Sequence, residues 1–253
     1  MSEPVLWAEL TWEEIGALAR TGPGLVLLPV GAVEQHGPHL GVGMDFVGVE
    51  RLARAVSAQT GIPVLPTLPY GCSLGHSRKW PGTLSLQPET LVASVFEIYD
   101  WLHGAGFRRL LIVNGHVGNV WPLHSAIDKI RHHYDAALVA LLLAAELSPR
   151  VRAEFHADAA DWHANAAETA LMMAEAPELV RAEKVAAADD PDRTAGSVFS
   201  HRVDRTSANG VTGRPSAATL EQGRRLFGWM VDDLCAIVRK AEVERPPLPA
   251  AAA

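Results

Sequence analysis

Residues 24–30 (GLVLLPV), 109–113 (RLLIV) and 137–144 (ALVALLLA) are the stretches that most narrow what this chain can fold into. RLLIV is apolar throughout after its basic start, as expected of a parallel strand covered on both faces, and GLVLLPV reads as a buried strand. Residues 62–66 add a short strand. Helical patterns alternate with these runs. Residues 11–18 open on Thr11 with Glu14 three positions later, a capping-box pattern. Residues 45–60 carry Val49, Leu52, Ala53 and Val56 at helical spacing before Gly61. Pro88 opens a helix running to about His103, residues 119–133 and 165–174 are helical, and 217–242 form a long final helix with one apolar face. Strands alternating with helices imply an α/β sandwich on a mainly parallel sheet.

At 253 residues the chain can bury a large core as one domain, taken here as residues 1–245, with 246–253 (PPLPAAAA) expected to be a disordered tail. Residues 189–205 look polar and mobile. The longest greasy run, 136–145, is about half the roughly 20 residues a membrane-spanning helix needs. The first residues show no basic region followed by an apolar one, so no secretory signal is expected and a cytoplasmic setting follows. A net charge of -7 argues against capture of nucleic acid or anionic lipid. Cys72 and Cys235 are too few for a disulfide framework.

Eleven histidines are the compositional oddity, and several sit beside Gly, Asn, Asp or Glu in loop-like contexts. Residues 31–45 (GAVEQHGPHLGVGMD) place Glu34, His36 and Asp45 directly after the first apolar run. If the strand stays extended, Glu34 and His36 lie two apart and project to one side, where they can share a metal. A second set, NGHVGN with His116, follows RLLIV and enters a helix. A third, 161–169 (DWHANAAET), holds His163 and places Glu168 in the first turn of a helix. Taken singly, each has a plainer account: a solvated strand end, or a carboxylate favouring a helix dipole by about 0.3–1 kcal/mol. Ligands in open α/β sheets gather beyond the carboxyl ends of the strands, and all three sets fall there. Their three carboxylates and three histidines suit two divalent ions of the zinc, manganese or iron type, with Asp45 the candidate bridge. Acidifying a bound water to a pKa of about 7 would supply a hydroxide for attack on a carbonyl carbon without a protein nucleophile.

VGAVEQHGPHL, the later Asp45, WPGTLSL, IVNGHVGN, the segment from His163 to Glu168 and NGVTGRPSAATLEQG together resemble, in order and spacing, the motifs of the creatininase (creatinine amidohydrolase) family. The resemblance implies a three-layer α/β/α sandwich, assembly into homohexamers, and a binuclear zinc or manganese site that hydrolyses an amide C–N bond. Carried over residue by residue, Glu34 and His116 hold one ion, His36 the other, Asp45 bridges and Glu168 completes the site. His163 matches a histidine associated with proton transfer. Creatinine-acting members look like NGHxEN, whereas this chain has Gly118 in place of the glutamate. Branches with the glycine include deformylases of flavin or deazaflavin precursor synthesis and a peptidase trimming the mycofactocin precursor.

His76, Arg78, Trp80, Trp121 and Trp162 flank the motifs and are expected to wall a substrate pocket; His39 is expected to stand behind the ligands. The expected substrate is a small cyclic amide or a formamide. Three alternatives stand beside it: a peptidase acting near the end of a short peptide, a metal-binding oligomer without turnover, and a cysteine hydrolase using Cys72.

Overall fold

A computed structural model describes residues 2–76 and 78–248. In chain order its regular elements are α1 (Trp12–Thr21), β1 (Leu25–Val30), α2 (Met44–Thr60), α3 (Pro88–Gly104), β2 (Arg109–Asn114) and α4 (Val120–His133), then β3 (Leu138–Leu143), α5 (Pro149–Phe155), α6 (Ala166–Glu175), α7 (Ala182–Val185), α8 (Val203–Thr206) and α9 (Leu220–Val243). The strands are parallel in the order β1-β2-β3, with Leu25 opposite Arg109 and Arg109 opposite Leu138.

Side chains alternate across this sheet and so divide the interior in two. Leu25, Leu27, Leu111 and Val113 face α2, α5, α6 and α9. Val26, Leu28, Val30, Leu110 and Ile112 face α3 and α4, with Ile15 and Leu18 of α1 packed alongside. Both faces of β1 are therefore covered and all six of its residues are buried, which is why GLVLLPV lacks polar positions. The result is the three-layer α/β/α sandwich.

The strand expected at 62–66 is not a continuous one. Val64 and Leu68 form isolated parallel bridges to Leu27 and Val30, and Val64 also bridges Leu6. Pro63, Pro66 and Pro69 supply no N–H, so the ladder along β1 is interrupted where they fall. The capping box at Thr11 and Glu14 forms as expected. The last helix begins at Leu220 because the Thr219 side chain accepts from the Gln222 N–H and caps it there. Helix α5, in a stretch without a clear period, was not foreseen. The segment at 189–205 is largely exposed, but Asp190 is buried and accepts from Ser207, Ala208 and Arg193. Residues 246–248 are exposed, and the rest of the expected disordered tail lies outside the described residues. No helix among the described residues is long and apolar enough to cross a membrane.

Helices α6 and α9 touch backbone to backbone at Gly223, where an added Cβ would lie 1.9 Å from the Ala170 carbonyl oxygen. Gly223→Val should force these helices apart at a cost of about 1–3 kcal/mol, lowering the melting temperature by several degrees. Gly228 on the same helix has nothing within 4 Å of such a Cβ, so Gly228→Ala should raise stability by up to about 1 kcal/mol in the same thermal melt.

Candidate metal centre

The three polar sets converge beyond the carboxyl edge of the sheet. After β1 the chain turns back on itself through an antiparallel bridge between His36 and Leu40, and the Glu34 N–H donates to the Val42 carbonyl. Asp45 then sits in the first turn of α2. His116 follows the last residue of β2, and Glu168 lies in the first turn of α6, capped by Asn165. Gly115 lets α2 approach this closely: a Cβ there would lie 2.6 Å from the Asp45 carbonyl oxygen. His163 is held by a bridge to Thr212, within the segment that also supplies Gly210.

Asp45 stands between two imidazoles. Its Oδ1 is 3.2 Å from His36 Nε2, and its Oδ2 is 3.2 Å from His116 Nδ1. Glu168 Oε1 lies 3.8 Å from the same His36 nitrogen, and Glu34 Oε2 lies 3.3 Å from His116 Nε2. His36 Nδ1 is 3.1 Å from the Glu34 carbonyl oxygen and so donates to it, which leaves Nε2, the nitrogen facing the carboxylates, as the one that can exchange its proton for an ion. Glu34, His36, Asp45, His116 and Glu168 are all buried, at 7% exposure or less.

Burial pushes the carboxyls up and the imidazoles down, and the cluster offsets this by pairing. Glu34 ends well below its ordinary value because His116 and the contacts from His163 and His76 outweigh its burial. Asp45 is likewise lowered, by His36 and His116 against burial. Burial disfavours charge on His36 and His116, yet Asp45 and the two glutamates lift His36 to about 10, while Glu34 and Asp45 lift His116 to about 9. Burial and neighbouring His36 bring His163 down to about 4, and burial, with Asp45 adding to it, lifts Glu168 to about 7. Without bound ions, the two low carboxylates and the two raised imidazoles thus hold each other's charge.

Positive ions fit this pocket on two grounds. Glu34 Oε2 and Asp45 Oδ2 are buried without a well-formed hydrogen bond, each facing only a nitrogen of His116 at 3.3 and 3.2 Å, and such oxygens are costly unless something else satisfies them. One oxygen or nitrogen from each of Glu34, His36 and Asp45 also lies within 4.8 Å of the others, close to the spacing of ligands held about 2.0–2.2 Å from one ion.

Of the residues expected to wall a pocket, His76 goes deeper than expected: its Nε2 is 2.9 Å from Glu34 Oε1. It forms, with Glu34 and His163, a second group of metal-binding type. Trp162 lines the cleft over the centre, which has a volume of about 360 Å³, enough for a small molecule. Arg78 and Trp80 line an adjoining groove that shares His76 and Ser73 with the cleft. Trp121 differs from expectation: it is 78% exposed at the start of α4 and does not line the cleft. As an N-terminal residue of a helix lying on the sheet, it faces outward. His156 and His201 also line the cleft. Only folding reveals this, since neither sits in a motif. His39 stands behind the ligands as expected, its Nε2 2.8 Å from the Thr169 hydroxyl beside Glu168. The Cys72 thiol is buried and burial raises its pKa, the opposite of an activated nucleophile.

A family model described as creatinine amidohydrolase matches residues 8–238. The chain belongs to the creatininase family. It is 31% identical to creatinine amidohydrolase of Pseudomonas putida, over 98% of this chain and 100% of that protein. It is 32% identical to the mycofactocin precursor peptide peptidase of Mycobacterium ulcerans (strain Agy99), over 91% of this chain and 90% of the relative. A crystal structure of creatininase superposes with a TM-score of 0.86 at 29% identity, covering 96% of this chain and 100% of that one. Creatininase structures described as Zn-Zn type and as Mn superpose with a TM-score of 0.85, each at 29% identity over 96% of this chain and 100% of that one. The family is one of hydrolases, and this chain is an amidohydrolase of it.

In metal-stripped protein, the protons on His36 and His116 stabilise the fold because both rings titrate above their unfolded value of about 6.5. That stabilisation is present in full below about pH 6.5 and is lost as pH rises through about 9 to 10. Chelator-treated protein should therefore melt at a lower temperature at pH 9.5 than at pH 6.5. Reloading with zinc should flatten the difference.

Proposed function

We propose that the protein is a two-metal amidohydrolase, holding zinc or manganese, that hydrolyses the C–N bond of a small cyclic amide or a formamide. The observation carrying this reading is the split engagement of Asp45, each of whose oxygens faces a different buried histidine. Such a carboxylate would suit a position between two cations. On this reading Glu34 and His116 hold one ion, His36 and Glu168 the other, and Asp45 both. When bound, the ions supply a water acidic enough to attack an amide carbonyl carbon at neutral pH.

The chain's own residues do the rest. His163 lies in the cleft, 15% exposed at its side chain, with Nδ1 held by the Gly210 carbonyl at 2.7 Å. Its Nε2 is thereby left to take a proton and return it to the leaving nitrogen. Trp162 and the neighbouring walls limit water in the cleft. Zinc and manganese are favoured by the nitrogen and oxygen donor set and by the creatininase structures that carry those metals in their descriptions. The enzyme is further proposed to work in the cytoplasm as a homo-oligomer, with a hexamer implied by the family.

Creatinine itself is disfavoured. The glutamate of creatinine-acting members would replace Gly118, where any Cβ would lie 2.2 Å from the Cys72 carbonyl oxygen and 2.4 Å from His116 Nε2. Glu168 is placed to serve instead. The similarity to the mycofactocin precursor peptidase supports a second reading, cleavage near the end of a short peptide. Parallel assays of lactams, formamides and short peptides separate the two.

Chelation should abolish turnover, and zinc or manganese should restore it; full activity in metal-free protein would end the proposal. His163→Ala should lower kcat by about 100- to 10,000-fold with metal content unchanged. Gly118→Ala should push on the His116 ring and weaken metal binding, measured by metal analysis after dialysis, while the circular dichroism of the fold stays normal.

A further inference from the structure

Gln35 lies between two of the candidate ligands, is 4% exposed, and has no part in the reading above. Its amide is oriented by two backbone groups. The Gly37 N–H donates to Oε1 at 3.0 Å, and Nε2 donates to the Gly210 carbonyl at 3.1 Å. Reversing the amide would set oxygen against oxygen at Gly210 and donor against donor at Gly37, so the orientation is determined. The same Nε2 lies 3.1 Å from Nδ1 of His76. With its other hydrogen aimed there, His76 Nδ1 must accept, and the ring proton sits on Nε2. That nitrogen is 2.9 Å from Glu34 Oε1.

We propose that Gln35 is a positioning residue: it fixes the ring proton of His76 on Nε2, so that His76 serves the centre as a hydrogen-bond donor to Glu34 and not as a metal ligand. A protonated Nε2 offers no lone pair, although His76, Glu34 and His163 stand close enough together to hold an ion. The bond holds one oxygen of Glu34 and turns the other, the orphaned Oε2, toward His116. The same carbonyl orients His163, whose Nδ1 lies 2.7 Å from Gly210 O and whose Nε2 lies 2.9 Å from the same Glu34 oxygen. One loop carbonyl thus orients both the Gln35 amide and the His163 ring. Gly210 has φ +88°, and a Cβ there would lie 2.1 Å from Gln35 Oε1, so only glycine fits this arrangement.

The inference rests on the two-metal reading, but its tests are separable from it. In metal-free protein labelled with nitrogen-15 at histidine, ring shifts report which nitrogen of His76 carries the proton, the signal being assigned by its loss in His76→Gln. Gln35→Glu replaces the donor with an acceptor and should move that proton to Nδ1. Titration with zinc should then show affinity reduced about 10- to 100-fold, as loss of an outer hydrogen bond to a ligand does, with the number of ions per chain unchanged. His76→Ala should show the same loss, and His76→Gln, whose amide still donates, should recover most of it. A wild-type ring protonated on Nδ1 would overturn the proposal, as would unchanged affinity in Gln35→Glu, or one ion fewer per chain in both His76 variants. Wild-type protein that binds neither zinc nor manganese would instead sink the two-metal reading.

Discussion

Three carboxylates buried together beneath one edge of a sheet are the arrangement on which the rest of this molecule depends. Glu34, Asp45 and Glu168 are each at most 3% exposed, and uncompensated charges at that depth would be strongly destabilising. Imidazoles answer part of the demand: His36 and His116 stand between the carboxylates, and each is pushed well above its usual pKa by them. Two carboxylate oxygens still lack a well-formed hydrogen bond. The cluster is therefore one that positive ions fit.

The layered fold is what makes that cost tolerable. Sheet residues pack helices on both sides, with Leu25 and Leu27 facing one helical layer and Val26, Leu28 and Val30 the other. This core is apolar and holds the strand ends rigidly. Parallel strands then bring the segments after β1 and β2 to the same edge, since Val30 lies opposite Asn114 in register. Helices α2 and α6 supply Asp45 and Glu168 from their first turns, where the helix dipole favours negative charge. Around this inner set, backbone carbonyls at Glu34 and Gly210 orient the rings of His36 and His163.

Much of this was legible before folding. Glu34 and His36 were marked by lying two apart after an apolar run, although β1 ends at Val30 and isolated bridges at Val33 and His36 carry the chain beyond it. His116 and Glu168 were marked by strand-end and helix-start positions, and the family resemblance joined them into one site. The contacts that local pattern does not encode have a common cause. His76 lies in a long glycine-rich connection whose path no period describes, so its approach to Glu34 is a property of the closed loop. His156 and His201 reach the cleft from segments far apart in sequence. Trp121 was drawn toward the pocket by its nearness to NGHVGN, but helical rotation from His116 turns it outward. The edge segment at 62–68 read as a strand from its apolar residues, while its prolines reduced it to bridges.

By itself, then, the sequence determined the order of strands and helices, the apolar faces that layer them, and the residue types able to bind metal, because these follow from local periodicity and side-chain chemistry. Tertiary structure alone decided which histidines meet the buried carboxylates and which face solvent. Those roles depend on distances of about 3 Å and on which ring nitrogen meets a carbonyl or an amide, and such contacts join residues as distant as Gln35 and Gly210.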